Sequence, residues 1–140
     1  MTPSETVLSI AAESIKARER IMDVVLETSC LRSRAQPASE SGLILKCENF
    51  QHTGSFKLRG AMSKLSMLPT DKPVITASSG NHGIACCHAA MTTGHDLTVV
   101  LPENVTKAKL ALIEGYGVRT ILHSMDSSLC EVHAKSLAAD

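Results

Sequence analysis

The chain has 140 residues, 44% of them hydrophobic, and its 14 basic and 14 acidic side chains cancel to zero formal charge. This length predicts one domain around a single core. Balanced charge, with one Tyr, two Phe and no Trp, argues against nucleic-acid binding, which needs a basic face or stacking aromatics. No apolar run reaches the roughly 18 residues of a membrane span. Residues 1–10 lack the pattern of a signal peptide, so we expect a soluble, cytoplasmic protein.

The first half of the chain predicts two helices separated by a loop and a strand. Apolar residues at helical spacing indicate an amphipathic helix over residues 5–22. The polar stretch 28–41 is typical of a connecting loop, and the short apolar run 43–47 of a strand. A second apolar stripe predicts a helix over 55–68, with Ser55 as its cap.

From residue 73 onward, short strands rich in Val, Ile and Leu alternate with helices. This alternation predicts an α/β fold with a parallel sheet built from right-handed βαβ units. We therefore divide the chain into an N-terminal segment, 1–72, and a small parallel subdomain, 73–140. The expected strands are 73–77, 97–101 and 118–122, and the expected helices 81–93, 107–115 and 127–138.

The five cysteines do not form a recognisable disulfide or metal pattern. Their number is odd and no pair has C-x-x-C spacing. Cys86, Cys87 and His88 are adjacent, so on a helix they point in different directions and cannot converge on one metal. We interpret the cysteines as small core residues in a reducing compartment and assign no metal, which leaves a Cys/His metal-binding protein as a weak alternative. They are Cys30, Cys47, Cys86, Cys87 and Cys130.

The first segment that could carry chemistry is E-N-F-Q-H-T-G-S-F-K-L-R-G-A, residues 48–61. It places Lys57 in the first turn of a helix, where free N–H groups and the helix dipole disfavour a cation. This position favours the neutral amine that a carbonyl-reactive lysine needs. The alternative is an ordinary surface lysine that extends into water.

The second such segment is S-S-G-N-H-G, residues 78–83, which follows a strand and opens a helix. Free backbone N–H groups at the carboxyl end of a parallel strand favour a carboxylate or phosphate. The alternative is a capped turn without a ligand, although one polar side chain would suffice for a cap and this turn has several.

Together, T-G-S-F-K-L-R-G-A and S-S-G-N-H-G resemble the pyridoxal-phosphate-dependent enzymes of fold type II, in the serine/threonine dehydratase and serine racemase branch. The resemblance covers nearly the whole chain. It implies an incomplete parallel three-layer βαβ sheet of the tryptophan-synthase-beta-like kind.

The resemblance also implies roles for individual residues around the cofactor, pyridoxal 5'-phosphate. Lys57 would hold the cofactor covalently and later move the α-proton of the substrate. Phe56 would lie beside the pyridine ring, and Asn81 would hydrogen-bond the phenolic oxygen.

The substrate carboxylate would be bound at the start of the following helix. The implied ligands are Ser78, Ser79, Asn81 and His82. In racemases of this branch, the hydroxyl at the position of Ser79 reprotonates the substrate from the face opposite the lysine.

The implied activity is an ammonia-lyase reaction on L-threonine or L-serine, giving a 2-oxo acid and ammonia. A serine racemase or a 3-hydroxyaspartate dehydratase is the alternative of the same class. Family members are considerably longer, and we expect their glycine-rich phosphate loop to lie beyond Asp140. The resemblance thus implies an N-terminal portion, inactive alone, of a homo-oligomer that binds an amino acid but no nucleic acid or membrane. A non-catalytic truncated module that binds a small carboxylate or a full-length partner is the alternative of another class.

Overall fold

The structure, a computed structural model, describes residues 4–33 and 42–139. Within these ranges, no helix is long and apolar enough to cross a membrane. The helices and strands are α1 (Glu5–Ile21), β1 (Cys30–Arg32), β2 (Ile44–Lys46), α2 (Lys57–Leu65), β3 (Val74–Ala77), α3 (Asn81–Thr93), β4 (Leu97–Leu101), α4 (Lys107–Glu114), β5 (Arg119–Leu122) and α5 (Ser127–Leu137). A short 3-10 turn, Glu48–Phe50, lies between β2 and α2.

The described strands form two separate sheets. β1 and β2 are an antiparallel pair with Leu31 opposite Leu45. β3, β4 and β5 form a parallel sheet in that order, with β4 in the centre. The predicted βαβ series over the second half of the chain is therefore confirmed.

The parallel sheet is covered by helices on both faces, so the predicted three layers are also confirmed. Side chains alternate along β4 because successive residues of a strand point to opposite faces. Leu97, Val99 and Leu101 join the core made with α2, α3 and α4. Val100 packs on the other face with Cys130 and Ala134 of α5.

Helices cover both faces of the sheet around its edge strand β3. α3 and α4 cover one face as the chain moves from β3 to β5, whereas α5 covers the other face and packs on β3 and β4. β3 forms one edge of the described parallel sheet. Ligands of parallel α/β sheets bind at the carboxyl ends of the strands, so the end of β3 is a candidate position for a site.

The first half of the chain contributes α2 to the main core, where Leu58 is fully buried among residues of α3 and the sheet. By contrast, α1 exposes large apolar side chains, including Val7 and Ile10, and β2 exposes Ile44 and Leu45. Burying such residues is favourable, so these surfaces are candidates for further packing. The division of the chain at residue 72 stays a prediction.

The structure corrects two expectations about local structure. The helix expected over 55–68 begins at Lys57, and Ser55 does not cap it: the N-cap is Phe56, which makes no side-chain cap bond. The stretch expected to be a loop contains the strand β1, while its residues 34–41 lie outside the described ranges. The remaining helices and strands lie within two residues of their predicted bounds.

Candidate functional site

The turn between β3 and α3 places the second motif at the carboxyl end of β3. Its tight packing depends on Gly83, because a Cβ there would lie only 2.0 Å from the carbonyl oxygen of Ser78. No side chain fits at that separation without a backbone shift. The glycine therefore fixes how closely the first turn of α3 approaches the end of β3.

The N-terminus of α3 has no side-chain cap. Its N-cap is Gly80, and Ser78 Oγ accepts a 3.3 Å hydrogen bond from the Gly80 N–H instead of from a helical N–H. The N–H groups in the first turn of a helix have no acceptor within the helix, and they attract anions. Because the turn is uncapped, the arrangement favours an anion site over the alternative of a capped turn without a ligand.

Lys57 is the first residue of α2 and is exposed. Its Nζ lies 5.0 Å from the ring centroid of Phe56, which is itself 59% exposed. The preceding loop turns at Gly54, whose φ of 70° is in the left-handed region that favours glycine. An amine and a flat apolar ring are thus presented together at the surface.

The start of α2 is anchored by Arg59, two residues after Lys57. Arg59 Nε and Nη2 donate to the two carboxylate oxygens of Glu48 at 2.9 and 2.7 Å, and Nη2 also donates to the carbonyl of Leu26 at 2.9 Å. Thr28 Oγ1 donates to the same carboxylate. The hydrogen bond from the Arg59 guanidinium lowers the pKa of Glu48. Bidentate pairs of this kind fix orientation as well as charge.

The two motifs meet at a cavity of about 870 Å³ beside the free edge of β3. Phe56, Lys57, Thr76, His82 and Cys86 are among its lining residues. The structure therefore brings the lysine of the first motif and the histidine of the second to one space, although they are 25 positions apart in the chain.

The other residues of the second motif are placed differently. Ser78 and Ser79 line a smaller cavity of about 160 Å³ near Val100, Pro102 and α5. Asn81 is exposed at the start of α3 and lines neither cavity. The predicted carboxylate ligands thus surround the same helix end without sharing one cavity.

Two hydroxyls near Lys57 were not singled out from the sequence as site residues. Thr53 Oγ1 and Ser55 Oγ are buried, and neither has a hydrogen-bond partner within the described part of the chain. Buried polar groups without partners are rare and costly in folded proteins. Only their closeness to Lys57 in sequence could have indicated them.

A cluster of three aromatic rings beside the loop that precedes Lys57 was also not predicted from the sequence. The rings of His52 and His88 are stacked with centroids 5.6 Å apart, and Tyr116 meets His88 edge-on at 6.1 Å. Burial, and secondly the charge of His52, lower the pKa of His88. Burial raises the pKa of the neighbouring Cys87 thiol to about 11. The stacked rings of His52 and His88 join the loop to α3.

Comparison with known proteins identifies the family of the chain. Residues 21–140 match the profile of the family described as pyridoxal-phosphate dependent enzyme. The catabolic L-threonine dehydratase of Staphylococcus aureus is 33% identical over 130 residues, which cover 89% of this chain and 38% of that protein.

Solved structures give the same result. Serine racemase from Dictyostelium discoideum superposes with a TM-score of 0.81 at 34% identity, covering 91% of this chain and 43% of that one. The processed form of threonine deaminase isoform 2 from Solanum lycopersicum gives a TM-score of 0.82 at 26% identity, covering 99% and 41%. This chain therefore spans about two fifths of the length of these relatives. The family match and the shared fold confirm the resemblance: the chain belongs to the pyridoxal-phosphate-dependent enzymes of fold type II.

Proposed function

We propose that this chain carries the lysine-bearing part of a pyridoxal-phosphate-dependent ammonia-lyase that acts on a hydroxy amino acid such as L-threonine or L-serine. The observation that carries this proposal is the cavity shared by Lys57 and His82. The amine of Lys57 can bond to the cofactor, and the helix end that carries His82 can bind a carboxylate. Both residues line the same cavity. The threonine dehydratase and threonine deaminase among the relatives support a hydroxy amino acid as substrate.

The residues present fit the cofactor chemically. Lys57 supplies a primary amine, and the exposed Phe56 ring beside it offers a flat surface for an aromatic ligand. The unpartnered hydroxyls of Thr53 and Ser55 are further polar groups available close to Lys57 in sequence. Together these groups match a ligand that is both aromatic and polar.

Lys57 would act first as the group that holds the cofactor and then as a base. Bound pyridoxal phosphate supplies an electron sink for the bond broken at the substrate Cα. Lys57 Nζ would accept the Cα proton, which requires a neutral amine.

The uncapped N-terminus of α3 would bind the substrate carboxylate. Free N–H groups there are joined by the side chains of Ser78, Ser79, Asn81 and His82, all at the helix start. This anchoring would orient the Cα–H bond toward Lys57. A charged carboxylate also suits the positive end of the helix dipole.

Ser79 supports a second candidate activity, racemisation of serine. Its hydroxyl would return a proton to Cα from the face opposite Lys57, which inverts the configuration. The serine racemases among the solved relatives favour this candidate. The assembly of the complete protein into a homo-oligomer and its location in the cytoplasm stay predictions.

An absorption titration tests the proposed role of Lys57. Mixing the chain with pyridoxal phosphate should produce the visible band of cofactor joined to a lysine. Lys57→Ala should remove it, whereas Lys72→Ala, at an exposed lysine of the turn before β3, should leave it unchanged. A band of equal strength in all three proteins would contradict the assignment, and its absence from the wild type would favour a non-catalytic module.

Carboxylate binding has its own test. Adding L-serine to the isotope-labelled chain should shift the backbone amide resonances of Ser79, Asn81 and His82 more than those at the start of α5. Equal shifts at both helix starts would mean that the α3 end has no special affinity for the carboxylate.

A further inference from the structure

The imidazole of His82 has two polar neighbours on one of its nitrogens. Thr76 Oγ1 lies 3.4 Å from Nε2, and Cys86 Sγ lies 3.6 Å from Nε2 but 3.9 Å from Nδ1. Thr76 belongs to β3, and Cys86 is one turn further along α3, so two different elements converge on the ring. Both neighbours line the large cavity together with His82. The Thr76 hydroxyl thus contacts Nε2, whereas the Cys86 sulfur is within reach of both ring nitrogens and nearer to Nε2.

The chemistry of the two neighbours decides which way the proton goes. Cys86 is only 6% exposed, and burial raises the pKa of its thiol, so it carries S–H at neutral pH. Thr76 Oγ1 is the stronger donor of the two and lies 3.4 Å from Nε2. Thiol sulfur is a weak acceptor, whereas an unprotonated imidazole nitrogen is a good one. The better arrangement has the Thr76 hydroxyl donating to Nε2, with the Cys86 S–H directed at the same nitrogen.

We propose that Thr76 and Cys86 are positioning residues that hold the uncharged form of His82 as its Nδ1–H tautomer, which leaves Nδ1–H to donate to a carboxylate oxygen in the cavity. Which nitrogen of a histidine carries the proton is set by the partner of the other one. The identity of the ligand rests on the proposed function, but the tautomer does not, since it follows from contacts within the chain. No bond is made or broken in this role.

The tautomer can be measured directly in the chain without cofactor. Two-bond ¹H–¹⁵N correlation spectra at pH 8, with ¹⁵N-labelled histidine, distinguish protonated from unprotonated ring nitrogens. His82→Gln identifies the His82 signals. The proposal expects Nδ1 to resonate as the protonated nitrogen and Nε2 as the unprotonated one. A wild-type spectrum with a protonated Nε2 overturns it, whatever any variant does.

Substitutions then test whether Thr76 and Cys86 set the tautomer of His82 or only stabilise the fold. Thr76→Val should shift His82 toward the Nε2–H form that free histidine prefers, and Cys86→Ala should do so more weakly. Cys86→Ser, which keeps a donor at the same place, should retain Nδ1–H. The matched control is Cys30→Ala, because Cys30 is exposed on β1 and should leave His82 unchanged. An unaltered His82 pattern in a folded Cys86→Ala protein contradicts the role of the thiol.

A titration with L-serine keeps this inference separate from the proposed function. If both hold, L-serine shifts the Nδ1 resonance of His82. If Nδ1–H is present but L-serine has no effect, the tautomer stands and the carboxylate assignment fails.

Discussion

Arg59 and Glu48 form a bidentate ion pair that joins the first turns of α2 to the segment after β2, two residues from Lys57. The side chains are 33% and 15% exposed, so the pair is only partly screened by water. Arg59→Ala should lower the free energy of unfolding by about 1.5 kcal/mol, near the low end for hydrogen bonds to charged groups. Urea denaturation checks this value.

The matched control is Arg119→Ala. It removes an exposed ion pair in which Arg119 Nη2 lies 3.7 Å from Asp96 Oδ2. Such surface pairs contribute about 0–1 kcal/mol, so the control should be nearly neutral. Equal losses in the two variants would contradict an anchoring role for Arg59.

The same pair predicts a pH dependence of stability. The pKa of Glu48 is lowered below its ordinary value of 4.5, chiefly by the hydrogen bond from Arg59. A carboxyl with a lowered folded pKa stabilises the fold above its unfolded pKa, and this contribution is lost as the pH falls through the folded value. In Glu48→Gln, the free energy of unfolding should therefore fall less steeply below pH 4.5 than it does in the wild type.

Gly83 should tolerate no side chain. The Cβ of Gly83→Ala would lie 2.0 Å from the Ser78 carbonyl oxygen, so α3 must move away from the end of β3. We expect a loss of roughly 1–3 kcal/mol, as for other overpacked sites. Gly60→Ala is the control, since nothing lies within 4 Å of its new Cβ, and it should stabilise the helix. Thermal unfolding that ranks the two variants alike would contradict the close approach.

Much of this architecture could be predicted from the sequence, because the apolar pattern within one element determines where that element lies. The bounds of α3 and β4 agree with prediction residue for residue. β1 was missed because three residues in a polar stretch carry too little pattern, and the strand exists through pairing with β2. Ser55 was wrongly expected to cap α2, because its residue type favours a cap but the loop buries it.

The site could be predicted only in part from the sequence. Lys57 and His82 were singled out by their motifs, and their shared cavity was implied only by the resemblance. The contacts of His82 with Thr76, and of His52 with His88, join different elements. Spacing within one element does not reveal such pairs, because they depend on tertiary packing.

The thiols should react in two groups. Cys30 is exposed, whereas Cys47, Cys86, Cys87 and Cys130 are buried. Burial also raises the pKa of Cys87 to about 11, which suppresses the reactive thiolate. Ellman's reagent should modify one thiol quickly in the native chain and the others only after unfolding. Cys30→Ala should remove the fast phase, and a fast phase that persists would contradict the burial of the remaining thiols.

The pKa of His88 should lie below the ordinary histidine value of 6.5, mainly because the residue is half-buried and secondly because His52 is near. Above pH 6.5 the folded and unfolded states are both neutral at this residue. As the pH falls, the unfolded chain binds the proton first, so the folded state loses stability until His88 itself is protonated. In His52→Ala the pKa of His88 should rise but stay below 6.5. Nuclear magnetic resonance titration of wild type and variant checks both values, and a wild-type pKa above 6.5 would contradict the assignment.

The most direct test of the central claim is to map which lysine bonds to pyridoxal phosphate. The chain is mixed with an equimolar amount, reduced with borohydride to fix the bond, and digested for peptide mass spectrometry. The peptide with Lys57 should carry most of the label, and exposed lysines such as Lys64 and Lys72 should carry little. Label spread evenly over the surface lysines, with no excess at Lys57, would contradict the assignment of this residue.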